Sequence, residues 1–161
     1  QREAGIAAVS APDVRWLRCD LKTTSLLANC LLRQLAVDAG CVETILFRDG
    51  FMTEGAASNI FAVKQGVLLA PPKDRFMLPG ITYDVVLELA AAHGLPAEVG
   101  PVAEATARSA DELWMTSSTK EVLPIVRLDG QPVGTGQPGP VFKRMHAWYQ
   151  EFKQRVMRAG E

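Results

Sequence analysis

The decisive stretch of this sequence reads Arg15-Trp16-Leu17-Arg18-Cys19-Asp20-Leu21-Lys22-Thr23-Thr24, and Met52-Thr53-Glu54-Gly55 follows it about thirty residues later. The first stretch places Lys22 where an apolar, strand-like run gives way to a predicted helix. The second places Glu54 just after a predicted tight turn. A lysine amine can bond to a carbonyl carbon, and a carboxylate can pair with a protonated ring nitrogen. Together these two groups are the minimum that a protein needs to hold and use pyridoxal phosphate.

Working outward, the apolar pattern switches between helical and strand-like spacing. Asp49-Gly50 and Gln65-Gly66 predict hairpin turns, since these residues tolerate positive φ values. Strands and helices interleave without regular βαβ repetition, which favours an α+β fold over a doubly wound sheet. The predicted strands are 6–9, 42–47, 59–63, 66–69, 112–116 and 122–128, with an extended segment at 95–102, and the predicted helices are 26–39, 82–93, 103–109 and 141–158.

The bulk composition indicates one globular domain. The 161 residues are 48% hydrophobic and 22% charged, and the net charge is −1. That balance offers no basic surface for nucleic acid, and no apolar run reaches the roughly 20 residues needed to cross a bilayer. The cysteines Cys19, Cys30 and Cys41 lack metal-ligand spacing, so we expect no metal site and reduced thiols in a cytoplasmic protein. The strand at 6–9 has no preceding partner, so we expect the chain to be part of a longer one.

Lys22 is a candidate nucleophile because apolar residues flank it on both sides. Leu21 precedes it, and Leu26 and Leu27 follow it. Burial among such side chains would favour the neutral, reactive amine. The alternative is a lysine that lies along apolar surface and extends its amine into water.

Two hydroxyl-bearing segments are candidates for binding a phosphate group. Pro79-Gly80-Ile81-Thr82 opens a predicted helix, whose N-terminal N–H groups suit an anion. Met115-Thr116-Ser117-Ser118-Thr119 follows a predicted strand. A helix-capping Thr82 and an ordinary polar loop at Ser117–Ser118 are the structural alternatives.

In this order and spacing, the motifs resemble the C-terminal domain of the fold-type IV pyridoxal-phosphate aminotransferases (class IV), most like the D-amino-acid aminotransferases. The similarity runs from about Arg15 to Arg127 and includes the signature at 53–61. The resemblance implies a mixed sheet or pseudo-barrel with flanking helices. It implies that Lys22 is the catalytic residue, which bonds to the cofactor and moves the substrate proton. The implied cofactor-binding residues are Lys22, Glu54, Gly80, Ile81, Thr82, Ser117 and Ser118, with Ala57 and Ser58 near the substrate.

The resemblance also implies partners and leaves the substrate open. Residues 1–161 would be the cofactor-binding domain of a homodimeric protein whose N-terminal domain is absent here. Its reaction would transfer an amino group from a D-amino acid, such as D-alanine, to a 2-oxo acid. The alternatives are an aminodeoxychorismate lyase, a branched-chain aminotransferase, or an inactive cofactor-binding or structural fragment. Ala56 and Ala57 stand where D-amino-acid aminotransferases often carry serines, which leaves the exact substrate open.

Overall fold

The described part of the chain combines one large mixed sheet with four α-helices, as the α+β prediction requires. The computed structural model describes residues 1–157. The strands are β1 Ile6–Pro12, β2 Glu43–Arg48, β3 Phe51–Gly55, β4 Asn59–Lys64, β5 Val67–Ala70, β6 Ala97–Val99, β7 Val102–Ala103, β8 Glu112–Ser117, β9 Glu121–Leu128 and β10 Gln131–Pro132. The helices are α1 Leu27–Asp38, α2 Ile81–Ala92, α3 Glu104–Arg108 and α4 Pro140–Phe152, and a π-helical turn, Lys153–Met157, follows α4.

The strands form one curled sheet in the order β6-β5-β4-β8-β9-β1-β2-β3-β7, with β10 paired to β9. β1 runs parallel to both β2 and β9, and β5 runs parallel to β6, whereas the other pairs are antiparallel. β3 and β4 lie five strands apart in this order, which would separate them by ~24 Å in a flat sheet. The short link at 56–58 reaches only ~15 Å. The sheet must therefore curl until β3 and β4 meet, and Gly55 N donates to Ser58 O at 2.7 Å across the join.

Both predicted hairpins form with the expected turn geometry. Asp49 and Gly50 have φ values of 53° and 81°, and Gln65 and Gly66 have values of 50° and 79°. Two consecutive positive φ values define a type I′ turn, whose twist matches that of the flanking strands. The Asp49-Gly50 turn fixes the pairing of Arg48 with Phe51 and of Phe47 with Met52, and an irregularity in the pairing then precedes Glu54 and Gly55.

Apolar side chains fill the space on both faces of the sheet. On one face, α2 and α4 cover the sheet around Phe61, Tyr83, Trp114, Phe142 and Met145, all of which are buried. Inside the curl, a second cluster includes Ile45, Ile60, Met115 and Ile125. Because α2 is anchored along its length, its N-terminus has a fixed position at the edge of the site described below.

Helix α1 lies close to its predicted bounds, but three apolar residues at helical spacing along it are largely exposed. Leu27, Leu31 and Leu35 are 74%, 61% and 47% exposed, whereas Leu32 and Ala36 are buried. Periodicity located the helix without showing which face packs on the sheet, and the packed face is the one with Leu32 and Ala36.

The end of the chain agrees with the predicted terminal helix as far as the structure extends. α4 begins at Pro140, a favourable first position for proline in a helix. The predicted helix end at Arg158 lies outside the described residues. Among residues 1–157, no helix combines the length and the apolar character needed to span a membrane.

Candidate active site

Glu54 lies on β3 with its carboxylate buried at the junction with β4. Its side chain forms an ion pair with Arg15, whose Nη1 donates to Oε1. The other oxygen, Oε2, accepts from Asn59 Nδ2 at 3.2 Å and from Leu78 N at 3.1 Å. A carboxylate offers about four acceptor positions. Three are occupied, so one position remains for a further N–H donor.

Burial controls the charge of Glu54. Loss of hydration raises the pKa of Glu54 to about 7, against the opposing effects of the Arg15 guanidinium and the Leu78 N–H. The carboxyl group therefore changes charge near neutral pH. A cationic N–H donor at the remaining acceptor position would favour the ionised form.

Arg15 is held in place by a second carboxylate, Asp13. Arg15 Nε and Nη2 donate to the two Asp13 oxygens, both at 2.9 Å, in a bidentate pair. Arg15 Nη2 also donates to Phe76 O at 2.9 Å. Asp13 in turn accepts from Thr53 Oγ1 at 3.0 Å and pairs with Arg48 at 3.2 Å. Asp13, Arg15 and Glu54 are all buried, so water has little access to the ion pairs that Arg15 forms with the two carboxylates.

Asn59 connects the carboxylate to the predicted phosphate end. Its Nδ2 donates to Leu78 O at 2.9 Å as well as to Glu54. A Cβ atom on Gly80 would collide with Asn59 Oδ1, so only glycine allows this approach. Asn59 also pairs in register with Thr116 of β8. The Asn59 side chain thus links β3 to the loop before α2, and its backbone pairs with β8.

The N-terminus of α2 has no side-chain cap. Gly80 is the N-cap residue, Ile81 is exposed, and Thr82 is buried in the first turn. The structural alternative of a helix-capping Thr82 is therefore wrong. The first N–H groups of α2 remain open to a ligand, which is the arrangement that binds anions at helix N-termini.

The second hydroxyl segment lies at the end of β8. Ser117 is its last residue, and Ser117 Oγ accepts from Lys120 N at 3.2 Å. Ser118 is exposed in the following turn. The preceding hydroxyl, Thr116 Oγ1, is buried without a hydrogen-bond partner among the described residues. An unpartnered buried hydroxyl beside Asn59 favours a polar ligand near this end of β8.

The turn after Glu54 is organised by a third buried carboxylate, Glu43. Glu43 Oε2 accepts from Ser58 Oγ at 2.7 Å, and Oε1 accepts from Ala56 N at 3.1 Å. A Cβ on Gly55 would collide with the Ser58 hydroxyl. Ser58 therefore supports the turn, while Ala57 is exposed on it.

Lys22 does not have the buried environment predicted for it. It lies in the loop between β1 and α1, five residues before the helix begins, and it is exposed together with Leu21, Leu26 and Leu27. The predicted apolar burial of the amine is wrong for this chain, because no other described segment packs over this part of the loop. The amine is accessible instead.

The structure brings together Glu54, Gly80, the start of α2 and the end of β8, with Asn59 as the link. It does not connect the Lys22 amine to them through a contact among the described residues. Sequence reasoning missed the roles of Asp13, Arg15, Asn59 and Glu43. Arg15 and Asn59 stood within recognised motifs, but only the fold shows that both bind Glu54.

A family model described as amino-transferase class IV matches residues 1–128 of the chain. The chain belongs to this family. The predicted resemblance to class IV aminotransferases is confirmed. Among curated relatives of this class IV chain, the D-alanine aminotransferase of Bacillus licheniformis is 42% identical over 145 residues, which cover 90% of the chain and 51% of that protein. The chain thus spans about half the length of the curated relatives it matches.

Solved structures show the same class IV architecture. A putative branched-chain amino acid aminotransferase from Thermotoga maritima superposes with a TM-score of 0.87 at 31% identity, covering 97% of this chain and 58% of that one. The T.th. branched-chain amino acid aminotransferase with pyridoxamine 5′-phosphate gives a TM-score of 0.85 at 29% identity, covering 94% of this chain and 51% of that one. The predicted α+β fold, a mixed sheet or pseudo-barrel with flanking helices, is confirmed.

Proposed function

We propose that residues 1–161 are the pyridoxal-phosphate-binding domain of an aminotransferase that moves an amino group from a D-amino acid, such as D-alanine, to a 2-oxo acid. The observation that carries this proposal is the buried Glu54 carboxylate, which keeps one acceptor position free beside an uncapped helix N-terminus. The 42% identity to a D-alanine aminotransferase supports the D-amino acid as substrate.

The donors and acceptors of this site fit pyridoxal phosphate. The free position on Glu54 suits a protonated ring nitrogen, and the open N–H groups at Gly80, Ile81 and Thr82 suit a phosphate. The Thr116 hydroxyl has no partner among the described residues, and Ser117 and Ser118 lie next to it in sequence. The related structure with pyridoxamine 5′-phosphate named above supports this fit.

Each residue has a distinct chemical role in this proposal. When bound, the cofactor supplies an electron-accepting ring and a carbon that reacts with amines. Lys22 provides the amine that attaches it and afterwards accepts and returns the proton of the substrate. Glu54 keeps the ring nitrogen protonated. Ala57 lies near the substrate, and Ser58 with Glu43 holds the turn in shape.

We further propose two protein partners and a cellular setting. The exposed leucines of α1, together with exposed Trp16 and Leu17 in the preceding loop, form an apolar surface that suits a covering domain or subunit. We assign this cover to an N-terminal domain of a longer protein and to the second copy of a homodimer. Free thiols at Cys19, Cys30 and Cys41 are consistent with the cytoplasm.

A branched-chain amino acid aminotransferase is the second candidate. The solved structures named above carry that description and have TM-scores of 0.85 and 0.87. The identity is lower than to the D-alanine aminotransferase, so we rank it second. Assays of a longer protein containing this chain with D-alanine or L-leucine, each with 2-oxoglutarate, would decide between them.

Covalent labelling tests the cofactor assignment directly. The chain is incubated with pyridoxal phosphate, reduced with borohydride and mapped by peptide mass spectrometry. We expect the label on Lys22 and its loss in Lys22→Ala, with Lys73→Ala as the matched control for an exposed lysine near α2. Lys73 is ion-paired with Asp84 in the first turn of α2, so its amine is a competitor close to the site. A label mainly on Lys64 or Lys73 would contradict the assignment.

A further inference from the structure

Arg15 uses its guanidinium group almost completely within the buried cluster. Its Nε and Nη2 bind Asp13, Nη2 also binds Phe76 O, and Nη1 binds Glu54. The bidentate pair fixes the plane of the guanidinium, since both Asp13 oxygens are engaged at 2.9 Å. Nη1 can therefore point only towards the Glu54 oxygen that also carries the remaining acceptor position.

We propose that Arg15 is a positioning residue that keeps the proton shared between Glu54 and the cofactor ring on the ring nitrogen. The proposal rests on the proposed function, because it needs pyridoxal phosphate at Glu54. It adds a role for Asp13, which holds Arg15 in the orientation that reaches Glu54.

Electrostatics gives the direction of the effect. A proton on Glu54 adds positive charge directly beside the Arg15 guanidinium. Transfer of that proton to the ring nitrogen moves the charge away from Arg15, and like charges repel less with distance. Burial strengthens this repulsion, because Arg15 and Glu54 are both shielded from water. Without Arg15, the desolvated Glu54 would retain the proton.

Arg48 provides a matched control within the same cluster. Its Nη2 pairs with Asp13 at 3.2 Å and donates to Arg15 O at 2.8 Å, and its side chain is 12% exposed. No described contact joins Arg48 to Glu54. Replacement of Arg48, like replacement of Arg15, removes one positive charge that is paired with Asp13. It therefore separates a specific effect of Arg15 from a general loss of buried charge.

The test measures the protonation state of the ring nitrogen and not turnover. Pyridoxal phosphate labelled with ¹⁵N in the ring is bound to the wild-type chain, Arg15→Gln and Arg48→Gln, and ¹⁵N NMR spectra are recorded between about pH 6 and pH 9. We expect the resonance of a protonated ring nitrogen throughout in the wild type and in Arg48→Gln. In Arg15→Gln, we expect it to move towards the neutral position within this range.

An Arg15→Gln resonance equal to that of the wild type would overturn the proposal, as would an equal displacement in Arg48→Gln. Circular dichroism establishes folding before each spectrum. If Arg15→Gln does not fold, the double variant Asp13→Asn/Arg15→Gln replaces it. The double variant removes both charges of the Asp13–Arg15 ion pair and leaves no lone buried charge at Asp13. Failure of the wild-type chain to bind the labelled cofactor would instead overturn the proposed function, and this assignment with it.

Discussion

Glu54 shows how a single buried side chain ties stability to function. Its carboxyl group is almost fully buried, and burial raises its pKa to about 7. In the ligand-free chain, ionisation of Glu54 therefore destabilises the folded state. A cationic partner at the remaining acceptor position would remove that destabilisation, which is why we propose Glu54 as the partner of a protonated ring nitrogen.

The raised pKa predicts a pH-dependent stability. Between about pH 4.5 and pH 7, folded Glu54 retains a proton that the unfolded chain has released. The free energy of unfolding should therefore fall as pH rises through this window, by about 3 kcal/mol at ~1.4 kcal/mol per pKa unit, and level off above it. Urea unfolding of the ligand-free chain across this range, compared with Glu54→Gln, measures the effect. Equal slopes for both proteins would contradict the prediction.

Gly55 is required for space, because Ser58 and Glu43 occupy the volume that a side chain would need. We expect Gly55→Ala to lower the free energy of unfolding by about 1–3 kcal/mol through overpacking. Gly100→Ala is the control, since its Cβ would meet nothing within 4 Å. Its free energy of unfolding should stay within about 1 kcal/mol of the wild type. Chemical denaturation of both variants checks this, and a Gly55→Ala variant as stable as Gly100→Ala would refute it.

At the scale of the element, helix α1 carries buried and exposed leucines on different faces. Leu32 is 4% exposed and packs with Ala11, Leu46 and Ala56, whereas Leu31 beside it is 61% exposed. Both are apolar, so the sequence alone cannot distinguish core from contact surface. The exposed row is the part of α1 that we assign to an interface.

Substitutions in α1 test this division. We expect Leu32→Ala to lower the free energy of unfolding by about 2–5 kcal/mol through lost packing and a cavity. Leu31→Lys should change it by no more than about 0.5 kcal/mol, since this side chain is largely exposed to solvent in this chain. In sedimentation experiments, Leu31→Lys should reduce self-association. A large loss of stability in Leu31→Lys would mean that this row packs within the chain.

For the whole molecule, the chain spans about half the length of the curated relatives it matches. Its proposed site contains a candidate lysine, a candidate partner for the ring nitrogen and candidate groups for the phosphate. We have identified no group for the substrate carboxylate among residues 1–157. Orientation of bound reactants can supply roughly 7–11 kcal/mol of a barrier. We therefore expect the chain to bind the cofactor but to turn over substrate slowly.

This contrast predicts a difference between the chain and a longer protein that contains it. With D-alanine and 2-oxoglutarate, we expect the 161-residue chain to be at least about a thousandfold slower, which corresponds to ~4 kcal/mol of barrier. Cofactor absorbance provides the control, because it shows that both proteins are loaded. Comparable turnover by both would show that the additional part is not needed for the reaction.

The sequence by itself determined the local structure and the family. Asp49-Gly50 and Gln65-Gly66 fix their turns through positive φ values, and apolar periodicity located α1 and α2. These features depend on neighbouring residues and short-range sterics, which are visible in a linear pattern. The motifs around Lys22 and Glu54 indicated the class IV family through their resemblance to the sequences of that family.

Only the tertiary structure decided which residues surround Glu54 and which apolar faces are buried. Arg15, Asn59 and Leu78 reach the carboxylate because the sheet curls and brings β3 against β4 and the loop before α2. Lys22 and three leucines of α1, Leu27, Leu31 and Leu35, are exposed because no described segment of this chain covers them. Burial depends on contacts between distant residues, and a linear pattern of apolar side chains does not specify which contacts form.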